Sequence, residues 1–412
     1  MQIFIKITKI FIYICVIMGF YLNPAYSFVG VFISKDGSKI ISQGSKVVIA
    51  KKDQKIIYTF TSDLDTKAKQ FILLVPVPAD IKNPHVRTID YKLINKLDLY
   101  TSPRLIEYIN FDPCDPTAFT RPPIVANHTD KAIGLGSVIP KTTSEHKFFI
   151  LTSKESAGIR DWLKKYDYNL PSQYLNILKK YIAKNMRFIA IEVKNHNSKV
   201  TQLAPVQIEY ESKNFLLPIR VGSLNAPNSM NQDMTVYILS NLGEVLPVNY
   251  KINETPNNID LPISTIGNFN QFYSHLMYKL FASHPDIIRK EYSWPMNVCK
   301  PCTSTPLTIE ELQELGAFWY SPSEPKLPYI TRLHTHYSPE YSQYSLADSI
   351  EFKETTKRLR YQTYFNLKHP MAMMQSKCGD QYYEEIQKAK AKEDKNFYML
   401  APKPLLTYHK TE

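Results

Sequence analysis

The chain has 412 residues, of which 44% are hydrophobic and 12% aromatic, and its formal net charge is +12. This composition is that of a folded protein, and it excludes collagen-like and low-complexity chains. Lys6 and Lys9 supply two of the charges and the first 27 residues hold no acid, so the remainder carries 12 − 2 = +10. That charge favours weak attraction to anionic surfaces, although the lysines are mostly dispersed and a compositional bias also explains them.

The first 27 residues have the pattern of an export signal. The two lysines precede an apolar run at residues 10–22, and Ala25 and Ser27 are small residues of the kind that a signal peptidase inspects. We expect cleavage between Ser27 and Phe28 and a mature protein in the periplasm or outside the cell, where nucleic acid is not an expected partner. The alternative is a retained anchor, because apolar residues resume at 28–33 and the joined segment could span a bilayer.

After the leader, residues 28–150 are predicted to form a β-rich domain. Its segments are rich in β-branched and aromatic residues and are separated by turn residues, which favours antiparallel pairing. Similar segments return from residue 187 onwards. The predicted strands cover residues 45–51, 55–61 and 70–77 in the first part, and 188–193, 205–210, 215–221, 329–337 and 360–367 in the second.

Helices are predicted where apolar residues recur at helical spacing. Two of them fall between the β segments, so residues 151–186 are interpreted as a helical hairpin. The predicted helices cover residues 156–165, 171–184, 269–281, 308–315 and 382–395. The helix at 308–315 opens with a capping box from Thr308 to Glu311.

The predicted fold class is α+β, mainly antiparallel β in two parts with an inserted helical hairpin. The first part is residues 28–150 and the second, an α+β domain, is residues 187–400. Residues 401–412 are expected to form a flexible tail.

Four cysteines remain once Cys15 is removed with the leader, and an even number in an exported chain favours disulfides. Three pairings are possible. The spacing of Cys299 and Cys302 favours a local bridge between them, which leaves Cys114 to pair with Cys378. A redox dithiol and a zinc site are alternatives, but Cys299 does not stand at a predicted helix start and an oxidising compartment disfavours free thiolates.

Polar residues near two predicted strands are candidates for a groove. Arg332, His334 and His336 alternate along one strand and therefore share one face. Two histidines so placed could bind a metal, but the neighbouring arginine disfavours a cation. Arg104 and Glu107 could line the same kind of groove, or could pair with each other.

Common catalytic and cofactor motifs are not found in the sequence. There is no nucleophile elbow, phosphate-binding loop or zinc-protease motif. We therefore assign no catalytic residue, cofactor or metal from the sequence.

Several segments resemble a known bacterial family. The chain is similar, over about 300 residues, to the family called domain of unknown function 2330. The segments that carry the resemblance are FILLVPVP at 71–78, SPRLIEY at 102–108, DPC at 112–114, the stretch 294–302, and TRLH at 331–334. The resemblance implies an exported or envelope-associated α+β protein and supplies no activity.

These observations favour an exported, basic cell-envelope protein that binds or organises an envelope component without catalysis, peripheral to the membrane at most. The alternative is a periplasmic thiol oxidoreductase or a metal-dependent hydrolase with an unrecognised site.

Overall fold

The computed structural model describes residues 29–109, 145–194, 202–226, 232–284, 287–296, 304–323, 326–337, 347–369 and 380–400. Helices account for 29% and strands for 41%, in mostly antiparallel or mixed sheets, which confirms the predicted α+β class.

The strands are β1 (Val31–Ser34), β2 (Ile40–Lys52), β3 (Lys55–Thr66), β4 (Phe71–Val77), β5 (Lys82–Thr88), β6 (Arg104–Ile109), β7 (Glu145–Ile150), β8 (Arg187–Lys194), β9 (Val206–Glu211), β10 (Leu216–Pro218), β11 (Gln232–Ser240), β12 (Val245–Pro247), β13 (Lys251–Glu254), β14 (Ile259–Leu261), β15 (Ile287–Pro295), β16 (Tyr329–Tyr337), β17 (Ser349–Glu354), β18 (Tyr361–Gln362) and β19 (Tyr364–His369).

The helices are α1 (Tyr91–Thr101), α2 (Ser153–Ala157), α3 (Ile159–Lys165), α4 (Ser172–Ala183), α5 (Phe269–Ser283), α6 (Ile309–Glu314) and α7 (Asp380–Leu400), with 3₁₀ turns at Arg220–Asn225 and Ile263–Asn268. None of the described helices is both long and apolar enough to cross a bilayer.

Nine strands form the largest sheet, in the order β13-β15-β16-β11-β2-β3-β9-β5, with β18 beside β15. The β2–β3 hairpin is antiparallel, as predicted, but β2 pairs with β11 in parallel. Strands from before and after residues 151–186 thus share one sheet. The division of the chain into residues 28–150 and residues 187–400 stays a prediction.

A second sheet, in the order β1-β4-β8-β7, stacks against the first. Alternation along each strand explains the stacking, since successive side chains point to opposite faces. In β2, Val47 and Ile49 face the core between the sheets, where they join Leu73 of β4. Val48 and Ala50 face the opposite side.

Helices cover the outer faces of both sheets. Trp162 of α3 and Tyr181 of α4 pack on the outer face of the four-stranded sheet. Leu97 of α1 and Leu312 of α6 pack on the outer face of the nine-stranded sheet. The described core therefore has four layers, with two sheets between two sets of helices.

The predicted helices at 156–165 and 171–184 both form, although the first begins at Ser153 and is interrupted at Gly158. The capping boxes at Thr152 and Thr308 fix the starts of α2 and α6. Helices α3 and α4 share one hydrophobic cluster. Their pairing as a hairpin stays a prediction.

Candidate functional site

A row of alternating basic and acidic side chains lies between the nine-stranded sheet and the helices that cover it. It involves strands β2, β11, β15 and β16 and helix α1. The side chains, in the order in which they contact one another, are Lys46, Asp98, Arg332, Glu291, His334 and Asp233. We call these six side chains the ionic network.

Arg332 stands at the centre of the ionic network with 3% of its surface exposed. Its Nε donates to Glu291 Oε2 at 2.6 Å, and its Nη1 donates to Asp98 Oδ1 at 2.7 Å. The guanidinium also lies 5.3 Å from the ring centre of Tyr237. A buried guanidinium needs such partners, because an unpaired charge in the interior is costly.

Asp98 extends the ionic network into helix α1. It follows Ile94 by one turn, so it lies on the helix face that packs on the sheet. Its carboxylate accepts hydrogen bonds from Tyr237 at 2.7 Å and from Lys46 at 2.5 Å. Lys46 is 22% exposed, so this end of the ionic network reaches the surface.

Glu291 is placed by a β-bulge. Lys290 pairs with Leu333 and Tyr292 pairs with Arg332, which leaves Glu291 as an extra residue in β15. A bulge re-aims the side chain of its extra residue. Here the carboxylate, which is fully buried, lies between Arg332 and His334.

His334 lies between two carboxylates. Its Nδ1 is 2.7 Å from Glu291 Oε1, and its Nε2 makes a short contact with Asp233. Both ring nitrogens can donate only when the imidazole is protonated. The geometry therefore selects the imidazolium form.

The next histidine along β16 has a different environment. The ring of His336 stacks on Phe281 of α5 at 5.0 Å, and its Nδ1 is 3.9 Å from Asp233 Oδ1. Its Nε2 is buried and has no hydrogen-bond partner among the described residues. This environment favours the neutral ring.

The pKa values follow this geometry. Burial opposes the charged form of Glu291, but His334 and Arg332 outweigh it and lower the pKa of Glu291 to about 2. In the same way, burial is outweighed by Asp233 and Glu291, which raise the pKa of His334 to about 10. Burial lowers the pKa of His336 to about 4, although Asp233 opposes this shift.

We expect the free energy of unfolding to be greatest near pH 6.5. The pKa of His334 rises from 6.5 to about 10 on folding, so its contribution is complete below pH 6.5 and is lost as the pH rises towards 10. The pKa of His336 falls to about 4, so its protonation removes stability as the pH falls from 6.5 towards 4. Urea unfolding across this pH range measures both effects.

Two variants separate the contributions of the histidines. His334→Gln should flatten the alkaline side of the profile and His336→Gln the acid side. An unfolding free energy that stays constant in the parent protein between pH 6.5 and 10 would contradict the protonated state of His334.

Two arginines satisfy carbonyl groups near the end of helix α1. Arg332 Nη1 donates to the Asp98 carbonyl at 3.0 Å, and Arg104 Nη2 donates to the Tyr100 carbonyl at 2.9 Å. The last carbonyls of a helix lack intrahelical partners and carry partial negative charge. Burial lowers the pKa of Arg104 to about 10. The arginines thus join helix α1 to strands β16 and β6.

Residues 23–352 match the family described as "Uncharacterized protein conserved in bacteria (DUF2330)". The chain belongs to this family. The match confirms the resemblance in the sequence, and no curated protein matches the chain.

The solved structures that are similar to this chain include two of baculovirus P35. The crystal structure of baculovirus P35 has 10% identity and a TM-score of 0.28, and the alignment covers 78% of this chain and 97% of that chain. A mutated baculovirus P35 after caspase cleavage has 9% identity and the same TM-score, with 76% and 99% covered. A TM-score this low does not establish a shared fold.

The structure brings Arg332, His334 and His336 together on one face, as this family member's sequence predicts. It also buries them, with 3%, 6% and 7% exposed, and Arg104 is 1% exposed. These four side chains therefore do not line a groove that is open to solvent. The cause is the cover of helices α1 and α5, which the strand pattern alone does not reveal.

Other candidate positions lie outside the described residues. They are the cleavage site at Ser27 and Phe28, the four cysteines Cys114, Cys299, Cys302 and Cys378, and the side chain of Glu107. The predicted disulfides and the Arg104–Glu107 pair stay predictions. Within the described part of the chain, no group of three or more His, Cys, Asp or Glu is arranged to hold a metal.

Sequence reasoning missed most of the ionic network. Asp98 could have been found, because it occupies an apolar-stripe position in α1 beside Ile94 and Leu97. Glu291 carries no clear signal in the sequence, because it directly follows the charged residues Arg289 and Lys290. Its partners depend on long-range pairing.

Proposed function

We propose that this protein is an exported component of the bacterial cell envelope that binds or organises another envelope component and does not catalyse a reaction. The ionic network supports the non-catalytic part of this proposal. A general acid or base works best with a pKa near the working pH. The pKa values of Glu291, about 2, and His334, about 10, lie far on either side of neutrality.

The contacts of the ionic network support a structural role for it. Arg332 joins helix α1 to strands β15 and β16, and His334 joins β15 to β11. Because each charge is held by fixed partners, a shift in strand register would separate them. Buried ion pairs can in this way specify one arrangement, at a cost in desolvation.

Export is supported by the pattern of the leader. Lysines, an apolar run and small residues follow one another in the order that a signal peptidase substrate requires. The charge of +10 beyond the leader suits a position beside anionic envelope components.

We expect the native protein in the envelope fraction, with its first residue at Phe28. N-terminal sequencing of protein from fractionated cells measures this directly. Ser27→Arg is the matched variant, since a large charged residue before the cut should block cleavage and leave Met1 in place. An intact Met1 on the parent protein in the membrane fraction would show that the leader is retained as an anchor and is not cleaved. Recovery of the protein in the cytoplasm alone would refute export.

A further inference from the structure

The helical layer on the four-stranded sheet has a strongly basic outer face. Residues 153–184 hold seven Lys and Arg and three Asp and Glu, a net charge of 7 − 3 = +4. Four of the ten net charges beyond the leader thus fall within this short segment. The segment is the outermost described layer on this side of the protein.

Helix α4 shows why the charges face outwards. Leu178 and Tyr181 are buried against the sheet, whereas Lys179 and Lys180 are exposed. Lys184 follows at the end of the helix with 60% of its side chain exposed, and it pairs with Asp348 at 2.7 Å. Since α4 contains no acid, its outer face has one sign of charge.

Helix α3 also exposes basic side chains, together with one exposed acid, Asp161. Ile159 and Leu163 are buried, while Arg160 and Lys164 lie one turn apart on the exposed side. Lys165 is also exposed. The basic faces of α3 and α4 belong to helices that pack on the same hydrophobic cluster.

Two of the acids in this segment are already engaged. Glu155 accepts the backbone hydrogen bond of the capping box at Thr152, and Asp167 pairs with Lys35 at 3.6 Å. Within the described ranges, Lys164, Lys179 and Lys180 make no ion pair. Their charge remains available for a partner.

Two tyrosines lie among these basic side chains. Tyr166 and Tyr174 are half-buried. Tyrosine places its apolar ring and its polar hydroxyl at a membrane–water boundary, and lysine keeps its ammonium in the headgroup layer.

We propose that the outer face of residues 153–184 docks on a membrane surface rich in anionic phospholipid headgroups. The exposed lysines supply the attraction, and the half-buried tyrosines supply apolar contact at the boundary. The docking is peripheral and is weakened by salt, because screening shortens the reach of surface charges. This proposal rests on the proposed function, since the membrane surface meant is the one that an exported protein faces.

The test is sedimentation of the protein, purified from the envelope, with two kinds of vesicle. One contains equal parts of phosphatidylglycerol and phosphatidylcholine, and the other contains phosphatidylcholine alone. The parent protein should bind the anionic vesicles and lose binding as salt increases. Each lysine near such a surface contributes about fivefold in affinity, so reversing four should weaken binding by about 600-fold or more.

The test variant carries glutamate in place of Lys164, Lys165, Lys179 and Lys180. The matched control carries glutamate in place of Lys92, Lys251, Lys353 and Lys357, which are also exposed but lie outside residues 153–184. Both variants have the same net charge. The control should retain anionic-vesicle binding within a few-fold of the parent, and circular dichroism confirms that each variant is folded.

If both variants lost the same amount of binding to the anionic vesicles, the proposal that residues 153–184 form the docking face would be wrong, because net charge alone would then explain binding. Binding of the parent to an anionic cell-wall polymer but not to vesicles would overturn the membrane as the partner. Either result leaves export untouched, whereas failure of export is detected separately by the position of the N-terminus. If the test variant unfolds, the same four lysines changed to glutamine must still lose binding for the proposal to stand.

Discussion

Replacing Glu291 with glutamine is expected to lower the free energy of unfolding by about 3–5 kcal/mol. Glutamine has nearly the same size, so the change removes a charge and leaves the packing. Arg332 and His334 then share the interior with one carboxylate fewer, although both remain buried. Removing one partner of a buried pair is costly because the remaining charge cannot return to water. Urea unfolding at neutral pH measures the loss.

Glu209→Gln is the matched control for this experiment. Glu209 pairs with Lys55 on the surface of the same sheet, and both side chains are 35% exposed. Since exposed ion pairs contribute about 0–1 kcal/mol, this variant should differ little from the parent. Similar decreases in the free energy of unfolding of the two variants would show that the buried ion pairs stabilise the protein no more than an exposed pair does.

The local elements of the fold could be predicted because their patterns are strong. Val47, Val48 and Ile49 form a continuous apolar run between turns, and β2 is buried on both faces. The stripe of α5, with Phe272 and Leu276, likewise predicts a helix packed on a core. Such patterns act within a few residues, so one sequence suffices to reveal them.

The assembly of the sheets could not be predicted in the same way. The parallel pairing of β2 with β11 joins segments almost two hundred residues apart. Helix α1 was also missed, because Lys92 and Lys96 dilute its apolar stripe. Without α1, the face of β16 that carries Arg332 looks exposed, whereas a sheet covered on both sides is buried on both.

The candidate site could be predicted only in part, because the sequence shows local patterns but not long-range contacts. Alternation along one strand places Arg332, His334 and His336 together, and the structure agrees. Their acidic partners come from other elements. Asp98 depends on helix α1, and Glu291 depends on a bulge whose position is visible only in the pairing of β15 with β16.

Gly243→Ala is expected to lower the free energy of unfolding by about 3 kcal/mol. A methyl group here would overlap the carbonyl oxygen of Lys357 and lie 2.8 Å from that of Thr355. These backbone groups cannot move aside easily. The amide of Glu244 donates to the Lys357 carbonyl at 2.8 Å, and the Thr355 amide donates to the Glu244 carbonyl at 2.8 Å. The melting temperature and urea unfolding both report the loss.

Gly267→Ala separates this overlap from the general effect of replacing a glycine. A methyl group at Gly267 meets no atom within 4 Å. Alanine restricts the unfolded chain more than glycine does, so this variant should match the parent or gain up to about 1 kcal/mol. If Gly243→Ala did not lower the free energy of unfolding, the backbone around Gly243 would have to be able to move away from residues 355–357. That result would contradict the expectation that the backbone hydrogen bonds beside the β12–β17 pair hold these residues in place.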